Sequence, residues 1–140
     1  MDSGNIFKIW GERRRILLTD TIEADLLYLK GETFCSTHKH KDKSNLFYVV
    51  KGEVRIETEF GNKVLKANEC WTVKPPLIHR FCPLTDGIMI EIAYVDRGKI
   101  DPDDIERFSQ GGRIVNGKEI TFNELRDYGL LDLRGKDEKE

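Results

Sequence analysis

Hydrophobic and polar positions alternate with a period of two along much of residues 22–95. Residues 54–60 alternate between apolar and polar side chains except at Thr58, and residues 45–51 are rich in β-branched and aromatic side chains. These patterns are typical of strands that bury one or both faces. Further strands are predicted at residues 22–30, 63–66, 71–74, 78–82 and 87–95. Because glycine-containing turns separate several of these short strands, the pattern predicts an all-β antiparallel sandwich or barrel.

The sequence changes character after residue 100 and predicts short helices. Asp101 is a suitable N-cap and Pro102 suits the first helical position, so a helix is predicted over residues 101–108. We therefore divide the chain into a β-barrel domain over residues 1–113 and a short helical extension over residues 114–140.

A second helix is predicted within this C-terminal extension. Thr121 and Glu124 have the spacing of a capping box, in which each residue satisfies a backbone N–H near the start of a helix. Gly129 is a suitable residue to end this helix. Residues 136–140 are all charged and are expected to fray.

The three histidines of the chain have a spacing that suits a metal site. His38 and His40 are two residues apart, so on a strand their rings point to the same face. His79 lies in another predicted strand and can supply a third imidazole. Three imidazoles form a common ligand set for divalent transition metals such as Zn, Mn, Fe or Ni. We therefore predict that these histidines bind such a metal.

Composition and charge exclude several classes of protein. The chain is 39% hydrophobic and 34% charged, which is typical of a globular protein. The formal net charge of −2 gives no general attraction to nucleic acid or to an anionic membrane, so neither is predicted as a partner. The basic run at residues 13–15 is interpreted as a solvated strand edge or an ion-paired turn, with anion binding as the less favoured alternative.

The cysteines and the N-terminus suggest where the protein resides. Cys35, Cys70 and Cys82 are an odd number without a C-x-x-C motif, which favours reduced thiols in small buried or half-buried positions. The N-terminal residues lack the pattern of a signal peptide, and no segment is long and apolar enough to span a membrane. We therefore predict a cytoplasmic protein.

Two segments of the sequence resemble the signatures of the cupin superfamily. The first resembling segment carries a glycine, the histidine pair, a polar residue and a turn glycine, and the second carries the third histidine. These residues are Gly31, His38, His40, Asn45 and Gly52, followed by Pro75, Pro76, Leu77, Ile78 and His79. The resemblance covers residues 25–95 and implies a cupin fold, which is a jelly-roll barrel also described as a double-stranded β-helix.

A closer resemblance extends beyond these signatures. The sequence is similar to the cupin module of type II mannose-6-phosphate isomerases, which also occurs fused to mannose-1-phosphate guanylyltransferases. The segments that carry this similarity are Trp10–Gly11, residues 47–52, 79–81, 90–92 and 103–108, and Gly112–Arg113. The resemblance implies a divalent metal and the interconversion of aldose and ketose sugar phosphates.

The chain departs from the family pattern at several positions. Asn45 stands where the first cupin signature normally has Glu, Pro76 stands where the second has Gly, and Ala93 replaces a polar residue. The first signature also has one residue fewer between its Gly and its His than this chain has. An amide oxygen binds a divalent cation more weakly than a carboxylate does. The site is therefore either a three-histidine site or a site in which Asn45 adds a weak fourth ligand.

Glu91 is the candidate catalytic residue, because isomerisation needs a base near the first two carbons of the sugar. The sequence nevertheless favours an ion-paired structural Glu91 over a catalytic one. The preferred function is a metal-dependent isomerase or epimerase that acts on a sugar or sugar phosphate. A three-histidine iron oxygenase and a non-catalytic sugar-binding module are the alternatives. We expect a homodimer, since barrels of this kind often pair through edge strands.

Overall fold

The computed structural model describes residues 6–131, which form fourteen strands and one helix. The strands are β1 (Ile6–Lys8), β2 (Gly11–Leu18), β3 (Ile22–Leu29), β4 (Thr33–Phe34), β5 (His38–Lys39), β6 (Ser44–Lys51), β7 (Val54–Thr58), β8 (Gly61–Leu65), β9 (Cys70–Val73), β10 (His79–Pro83), β11 (Gly87–Tyr94), β12 (Glu106–Arg107), β13 (Gly112–Val115) and β14 (Lys118–Thr121). The helix α1 spans Phe122–Asp127. No helix in this part of the chain is long and apolar enough to cross a membrane.

The strands form three antiparallel sheets. The largest sheet has the order β1-β2-β3-β11-β6-β9, and the second has the order β12-β5-β10-β7-β8. A small third sheet has the order β14-β13-β4. The hydrophobic core combines residues of the two larger sheets, among them Leu27, Phe47 and Met89 from the first and Ile56 and Phe81 from the second. The predicted all-β antiparallel fold is confirmed.

The seven strands predicted from the alternation are all present, as β3 and β6–β11, with ends shifted by a few residues. Gly52 occupies the turn between β6 and β7 with a φ of 91°, a conformation that glycine adopts without a steric penalty. Strands β1 and β2 extend the first sheet and place the basic run at residues 13–15 on β2. That run is therefore part of a strand beside β3.

The predicted helix over residues 101–108 is wrong. Asp101 caps one turn only, and the chain then forms strand β12, which pairs with β5. The backbone carbonyl of Asp104 accepts a hydrogen bond from the His40 ring, which a continuing helix would require for itself. A helix of this length is marginal without tertiary support, so the contacts with residues 38–43 determine the conformation.

The predicted helical extension over residues 114–140 begins as a β-hairpin. Strands β13 and β14 pair through a turn in which Asn116 and Gly117 have φ values of 52° and 78°. Two successive residues with positive φ are typical of a type I′ hairpin turn, and Asn-Gly is its strongest sequence signal. Our sequence analysis missed this signal. Of the two predicted helices, only the second forms within residues 6–131.

Helix α1 begins as the sequence predicts. Thr121 is its N-cap, and the side chains of Thr121 and Glu124 form the complete capping box. The helix ends at Asp127, and Gly129 follows with a φ of 70°. Leu125 is fully buried and anchors the helix to the core. The predicted frayed segment 136–140 lies outside the described residues.

Candidate metal centre

The three histidines lie together inside the barrel. His38 on β5 and His79 on β10 are direct partners across the two antiparallel strands. The ring centroids are 4.5 Å apart for His38 and His79, 5.1 Å for His38 and His40, and 5.5 Å for His40 and His79. One ring nitrogen from each residue lies within 4.8 Å of the others. All three residues are buried, so the cluster can hold a metal ion away from bulk water.

Backbone carbonyls fix the orientation of each imidazole. The Nδ1 atoms of His38, His40 and His79 donate to the carbonyl oxygens of Ser36 at 2.7 Å, Asp104 at 2.6 Å and Leu77 at 2.9 Å, respectively. Because a carbonyl oxygen only accepts, the ring proton resides on Nδ1 and the lone pair on Nε2. The Nε2 atoms of His40 and His79 are sealed from solvent without a hydrogen-bond partner. This is the arrangement that metal-binding histidines adopt.

Each histidine is held in its neutral form. Burial and the neighbouring imidazoles together lower the pKa of His38 to about 3. Burial likewise lowers the pKa of His79 to about 4 and that of His40 below its usual value, although the hydrogen bonds to Leu77 and Asp104 oppose the change. Neutral imidazoles are the species that bind a metal, so the site requires no loss of protons near neutral pH.

Asp104 connects the histidines to the loop before β6. Its carboxylate accepts hydrogen bonds from three successive backbone N–H groups, those of Lys41 at 2.6 Å, Asp42 at 2.9 Å and Lys43 at 3.2 Å. Burial raises the pKa of Asp104, but these hydrogen bonds outweigh it and leave the pKa below its usual value. Since its backbone carbonyl also binds His40, one residue holds both the ring and the loop that follows it.

Asn45 lines a cavity together with His38 and His40. The Nδ2 atom donates to the Glu91 carboxylate at 2.5 Å, whereas the buried Oδ1 atom has no hydrogen-bond partner. A flipped amide would bring two oxygen atoms together, so the carboxylate fixes the orientation of Asn45. An unpaired buried acceptor costs about 1–3 kcal/mol, and a cation beside Oδ1 would remove that cost. Asn45 therefore fits the part of a weak fourth ligand.

A cavity of about 180 Å³ lies between the two larger sheets. His38 and His40 line this cavity, and the His79 ring packs against both of theirs. We call these three residues the histidine wall; they belong to β5, the residue after β5 and β10, respectively. We call Arg13, Glu23, Asp25 and Glu91 the charged wall; they belong to β2, β3 and β11 of the six-stranded sheet. The other residues lining the cavity include Lys8, Trp10, Cys35, Ser36, Lys43, Asn45, Phe81, Ala93, Pro102, Ile105 and Arg107.

The carboxylates of the charged wall each have a polar partner. Arg15 binds Asp25 at 2.7 Å and Glu23 at 3.3 Å, and Lys43 lies 3.6 Å from Glu23. Glu91 accepts the hydrogen bond from Asn45 and is the direct register partner of Asp25. Burial and the Asp25 charge raise the pKa of Glu91 to about 7, against the opposing influence of Asn45 and Arg13.

Glu91 thus lines the cavity as a carboxyl group with a raised pKa. Within residues 6–131 its side chain has a hydrogen bond to an amide and no salt bridge. Our sequence analysis could not decide the face of Glu91, since strand β11 is apolar on both sides. The pairing with Asp25 and Phe47 settles the face.

Aromatic residues pack beside the histidine wall. The ring of Phe47 lies 6.1 Å from those of His79 and Phe81, and Trp10 meets Phe81 edge to face at 5.1 Å. Phe47, Phe81 and Trp10 are all buried in the hydrophobic core. Such close packing restricts rotation of the neighbouring side chains, so these aromatics help to fix the His79 ring.

The cysteines lie in different environments. Cys35 and Cys82 are buried as expected, but Cys70 is exposed, so the prediction of burial is wrong for that residue. Cys35 lines the cavity, and its sulfur accepts the backbone N–H of Phe81 at 3.2 Å. Burial raises the pKa of the Cys35 thiol far above its usual value and that of Cys82 to about 12. Both thiols remain protonated and are poor metal ligands.

Sequence reasoning missed most of the charged wall and the role of Asp104. Glu23 and Asp25 share one face of β3, and that alternation was visible. Arg13 and Arg15 likewise share one face of β2, but a run of three arginines hides the alternation. Asp104 offers no such signal, since its contact with residues 41–43 depends on the path of the chain.

The comparisons with known proteins agree with this architecture. The family described as "Mannose-6-phosphate isomerase C-terminal" matches residues 2–110. No curated protein sequence matches the chain.

Solved cupin structures share the fold. An RmlC-like cupin from Shewanella frigidimarina is 24% identical with a TM-score of 0.56, and the match covers 69% of this chain and 81% of that chain. Ectoine synthase from P. lautus is 17% identical with a TM-score of 0.61, covering 84% and 88%. Oxalate decarboxylase from Bacillus subtilis is 18% identical with a TM-score of 0.64, covering 76% of this chain but 30% of that chain. With a family match over most of its length, the chain is a small cupin that belongs to the mannose-6-phosphate isomerase C-terminal family.

Proposed function

We propose that this protein is a divalent-metal cupin that acts on a sugar or sugar phosphate as an isomerase or epimerase. The observation that carries the proposal is the histidine wall, in which three neutral imidazoles are each fixed through Nδ1 to a backbone carbonyl. Membership of the mannose-6-phosphate isomerase C-terminal family supports the class of reaction and substrate.

His38, His40 and His79 would hold the metal through Nε2, and the amide oxygen of Asn45 would provide a fourth, weaker donor. The donor set is neutral, so it suits Zn, Mn, Fe or Ni better than Mg or Ca, which prefer carboxylate-rich sites. When bound, such a metal polarises a carbonyl or hydroxyl oxygen of the substrate.

Glu91 would serve as the base that moves a proton between neighbouring carbons of the substrate. Its carboxylate removes the proton from the carbon beside the carbonyl group, and the electrons of that C–H bond form a C=C bond as the carbonyl oxygen takes up a proton. Glu91 then returns its proton to the former carbonyl carbon through the electrons of the C=C bond, while the hydroxyl group on the neighbouring carbon loses its proton and becomes the new carbonyl group, which gives the isomeric sugar. Asn45 orients Glu91 through the hydrogen bond between Nδ2 and the carboxylate.

Metal analysis of protein purified without chelator tests the proposal. We expect about one transition metal ion per chain, and reloading of chelator-treated protein with Mn, Fe, Ni or Zn. The loaded protein is then incubated in D₂O with mannose 6-phosphate and related aldose phosphates. Deuterium incorporation at the carbon beside the carbonyl, followed by NMR, reports the proposed proton transfer. Absence of metal binding would contradict the enzymatic proposal altogether.

A three-histidine iron oxygenase is the second candidate, and the neutral Asn45 in place of an acidic ligand favours it. Iron-loaded protein that consumes dissolved oxygen in the presence of a carbohydrate, without deuterium incorporation, would select this alternative. Ligand binding without either reaction would indicate a non-catalytic sugar-binding module.

We also propose that the protein is a cytoplasmic homodimer. Ile16, Leu17 and Leu18 at the end of β2 are exposed in the single chain, and apolar residues in such a position are suited to contact with a second copy. Light scattering should therefore give twice the chain mass of 16.2 kDa. Leu17→Lys should convert the dimer to a monomer, and a monomeric wild-type protein would contradict the proposal.

A further inference from the structure

Arg13 and the exposed Arg107 are the charged residues lining the cavity that form no side-chain hydrogen bond or salt bridge within residues 6–131. The Nε atom of Arg13 is, in addition, sealed from solvent. A buried donor without an acceptor costs about 1–3 kcal/mol, so the position needs a reason. Its neighbour Arg14 is exposed and binds Glu12 at 3.0 Å, as an ordinary surface arginine does.

The nearby carboxylates do not supply that reason. Asp25 and Glu23 are engaged by Arg15, and Glu23 also by Lys43. Glu91 accepts a hydrogen bond from Asn45, and Arg13 influences it only through its charge. Arg13 is therefore a surplus cation of the cavity, and a divalent metal on the histidine wall would increase the positive excess.

The strand register gives Arg13 a defined place relative to the other site residues. Asn45 pairs with Ala93, the next inward-facing row contains Asp25, Glu91 and Phe47, and the row after that contains Leu27 and Arg13. Successive rows are about 7 Å apart along the strands. Glu91 therefore lies in the row between those of Asn45 and Arg13.

We propose that Arg13 binds a carboxylate or phosphate group of the substrate, which makes the substrate an anionic polyhydroxy compound. A guanidinium group donates two parallel hydrogen bonds to either oxyanion, so Arg13 is suited to both. With the oxyanion at Arg13 and the opposite end beside the histidines and Asn45, the middle of the molecule lies next to Glu91. The inference rests on the proposed function, because it assumes that the ligand also reaches the metal. It assigns to Arg13 the anion binding that the basic run suggested.

The test compares three probes that share one carbon chain: D-glucitol, D-gluconate and D-glucitol 6-phosphate. Calorimetry on metal-loaded wild-type protein should show that at least one anionic probe binds about tenfold or more tightly than neutral glucitol. Arg13→Gln should reduce that preference to about threefold or less. Arg13→Lys should retain part of it, which also guards against a failure of Arg13→Gln to fold. The matched control is Arg14→Gln, one residue away on the opposite face, which should behave as wild type.

The outcomes separate this inference from the proposed function. If metal binds but Arg13→Gln keeps the full anion preference, or the wild type has none, the inference is overturned and the metal site stands. If no metal binds while anion preference still depends on Arg13, the proposed function fails and the assignment of Arg13 stands. The inference would also be overturned if Arg107→Gln lost the anion preference while Arg13→Gln kept it. The exposed Arg107, which also lines the cavity, would then be the residue that binds the anion. Which anionic probe binds more tightly identifies the oxyanion.

Discussion

The two walls of the cavity stabilise their polar groups by opposite means. On the histidine wall, three neutral rings donate to backbone carbonyls, and the buried Nε2 atoms of His40 and His79 have no hydrogen-bond partner. On the charged wall, full charges face one another across strands, and Arg15 and Lys43 neutralise Glu23 and Asp25. Hydrogen bonds to the backbone fix the side chains of the histidine wall, whereas the carboxylates of the charged wall are held by ion pairs and hydrogen bonds with other side chains.

The difference is consistent with the two roles that we propose for the walls, metal binding and proton transfer. A metal site needs ligands held in place before the ion arrives, and backbone carbonyls provide that restraint without adding charge. A proton-transfer group needs an environment that adjusts its proton affinity, and neighbouring charges provide it. Asn45 and Glu91 lie at the boundary, where an amide connects the carboxylate to the metal side.

Removal of one ring should have the largest effect of any single substitution. His79→Ala leaves two imidazoles, and the chain contains no fourth histidine to replace the lost one. We expect metal content to fall from about one ion per chain to a small fraction of that value, with all metal-dependent activity lost. Elemental analysis of the purified variant measures this.

The control for His79→Ala is Cys70→Ser, which removes the exposed thiol and with it the most accessible alternative site for adventitious metal. Its metal content should equal that of the wild type. A His79→Ala protein that keeps one ion per chain would mean that the histidine wall does not hold the metal.

Glu91→Gln should impair proton transfer, the role proposed for the charged wall, without affecting metal binding by the histidine wall. Gln keeps the shape of the side chain and can still accept the hydrogen bond from Asn45, but it cannot take up a proton. We expect the rate of deuterium incorporation to fall by about 10²–10⁴-fold while metal content stays at the wild-type value. Isotope exchange by NMR and elemental analysis on the same sample measure both quantities.

The matched control is Asp25→Asn, which changes the register partner of Glu91 and leaves the proposed base in place. Its loss of rate should be less than about tenfold, since Asp25 acts on Glu91 only through its charge. Equal losses in the two variants would indicate that the total charge of the wall matters and that Glu91 is not the base.

Asp104→Ala should loosen the histidine wall without removing a ligand. The substitution abolishes three hydrogen bonds to the backbone of residues 41–43 and frees the segment that carries the His40 acceptor. We expect the metal affinity to weaken by about 10–100-fold, as for other residues that support metal ligands. Competition with a chromogenic chelator measures the affinity. Asp103→Asn, beside it, should leave the affinity unchanged, and an equal loss there would implicate the general charge of the loop.

The histidine wall could be predicted because its information is local. An H-x-H pair on a strand points both rings to one face whatever the rest of the chain does, and the third histidine lay in a segment with a clear strand pattern. The alternation also gave the seven strands of the barrel. The helix predicted over residues 101–108 was wrong because the information there is not local. The conformation of this segment depends on pairing with β5 and on contacts with the loop at residues 41–43.

The charged wall could not be predicted to the same degree, because it is assembled from three strands whose register the sequence does not contain. The pairing of Arg15 with Asp25, and of Asp25 with Glu91, requires β2, β3 and β11 to be neighbours. A one-residue change of register would turn the same side chains away from the cavity. Arg13 and Glu91 therefore acquire their roles only in the folded sheet.

Strand β10 carries both kinds of interaction on successive residues, because His79 belongs to the histidine wall and Arg80 belongs to an outer ion-pair cluster. Glu57 accepts hydrogen bonds from Arg55 at 2.7 Å and from Arg80 at 2.8 Å. Burial raises the pKa of Glu57, but these two bonds and the charges of Arg55 and Arg80 outweigh it and hold the pKa below its usual value. A carboxyl group with a lowered pKa stabilises the fold above the pKa that it has in the unfolded chain, and this stabilisation disappears as the pH falls through the pKa of the folded state.

Glu57→Gln should therefore lower the urea midpoint modestly at pH 7, and the difference from the wild type should shrink as the pH falls below about 4.5. Urea titrations of metal-free protein at a series of pH values measure the difference. Glu119→Gln is the matched control, because the Glu119 carboxylate binds the same Arg80 at 2.6 Å but is 52% exposed, so its effect should be smaller. A Glu57→Gln deficit that stays constant with pH would indicate lost packing in place of lost charge. The residues on the outer face of β10 would then stabilise the strand that carries His79 through packing and not through charge, as the buried aromatic residues do in the core.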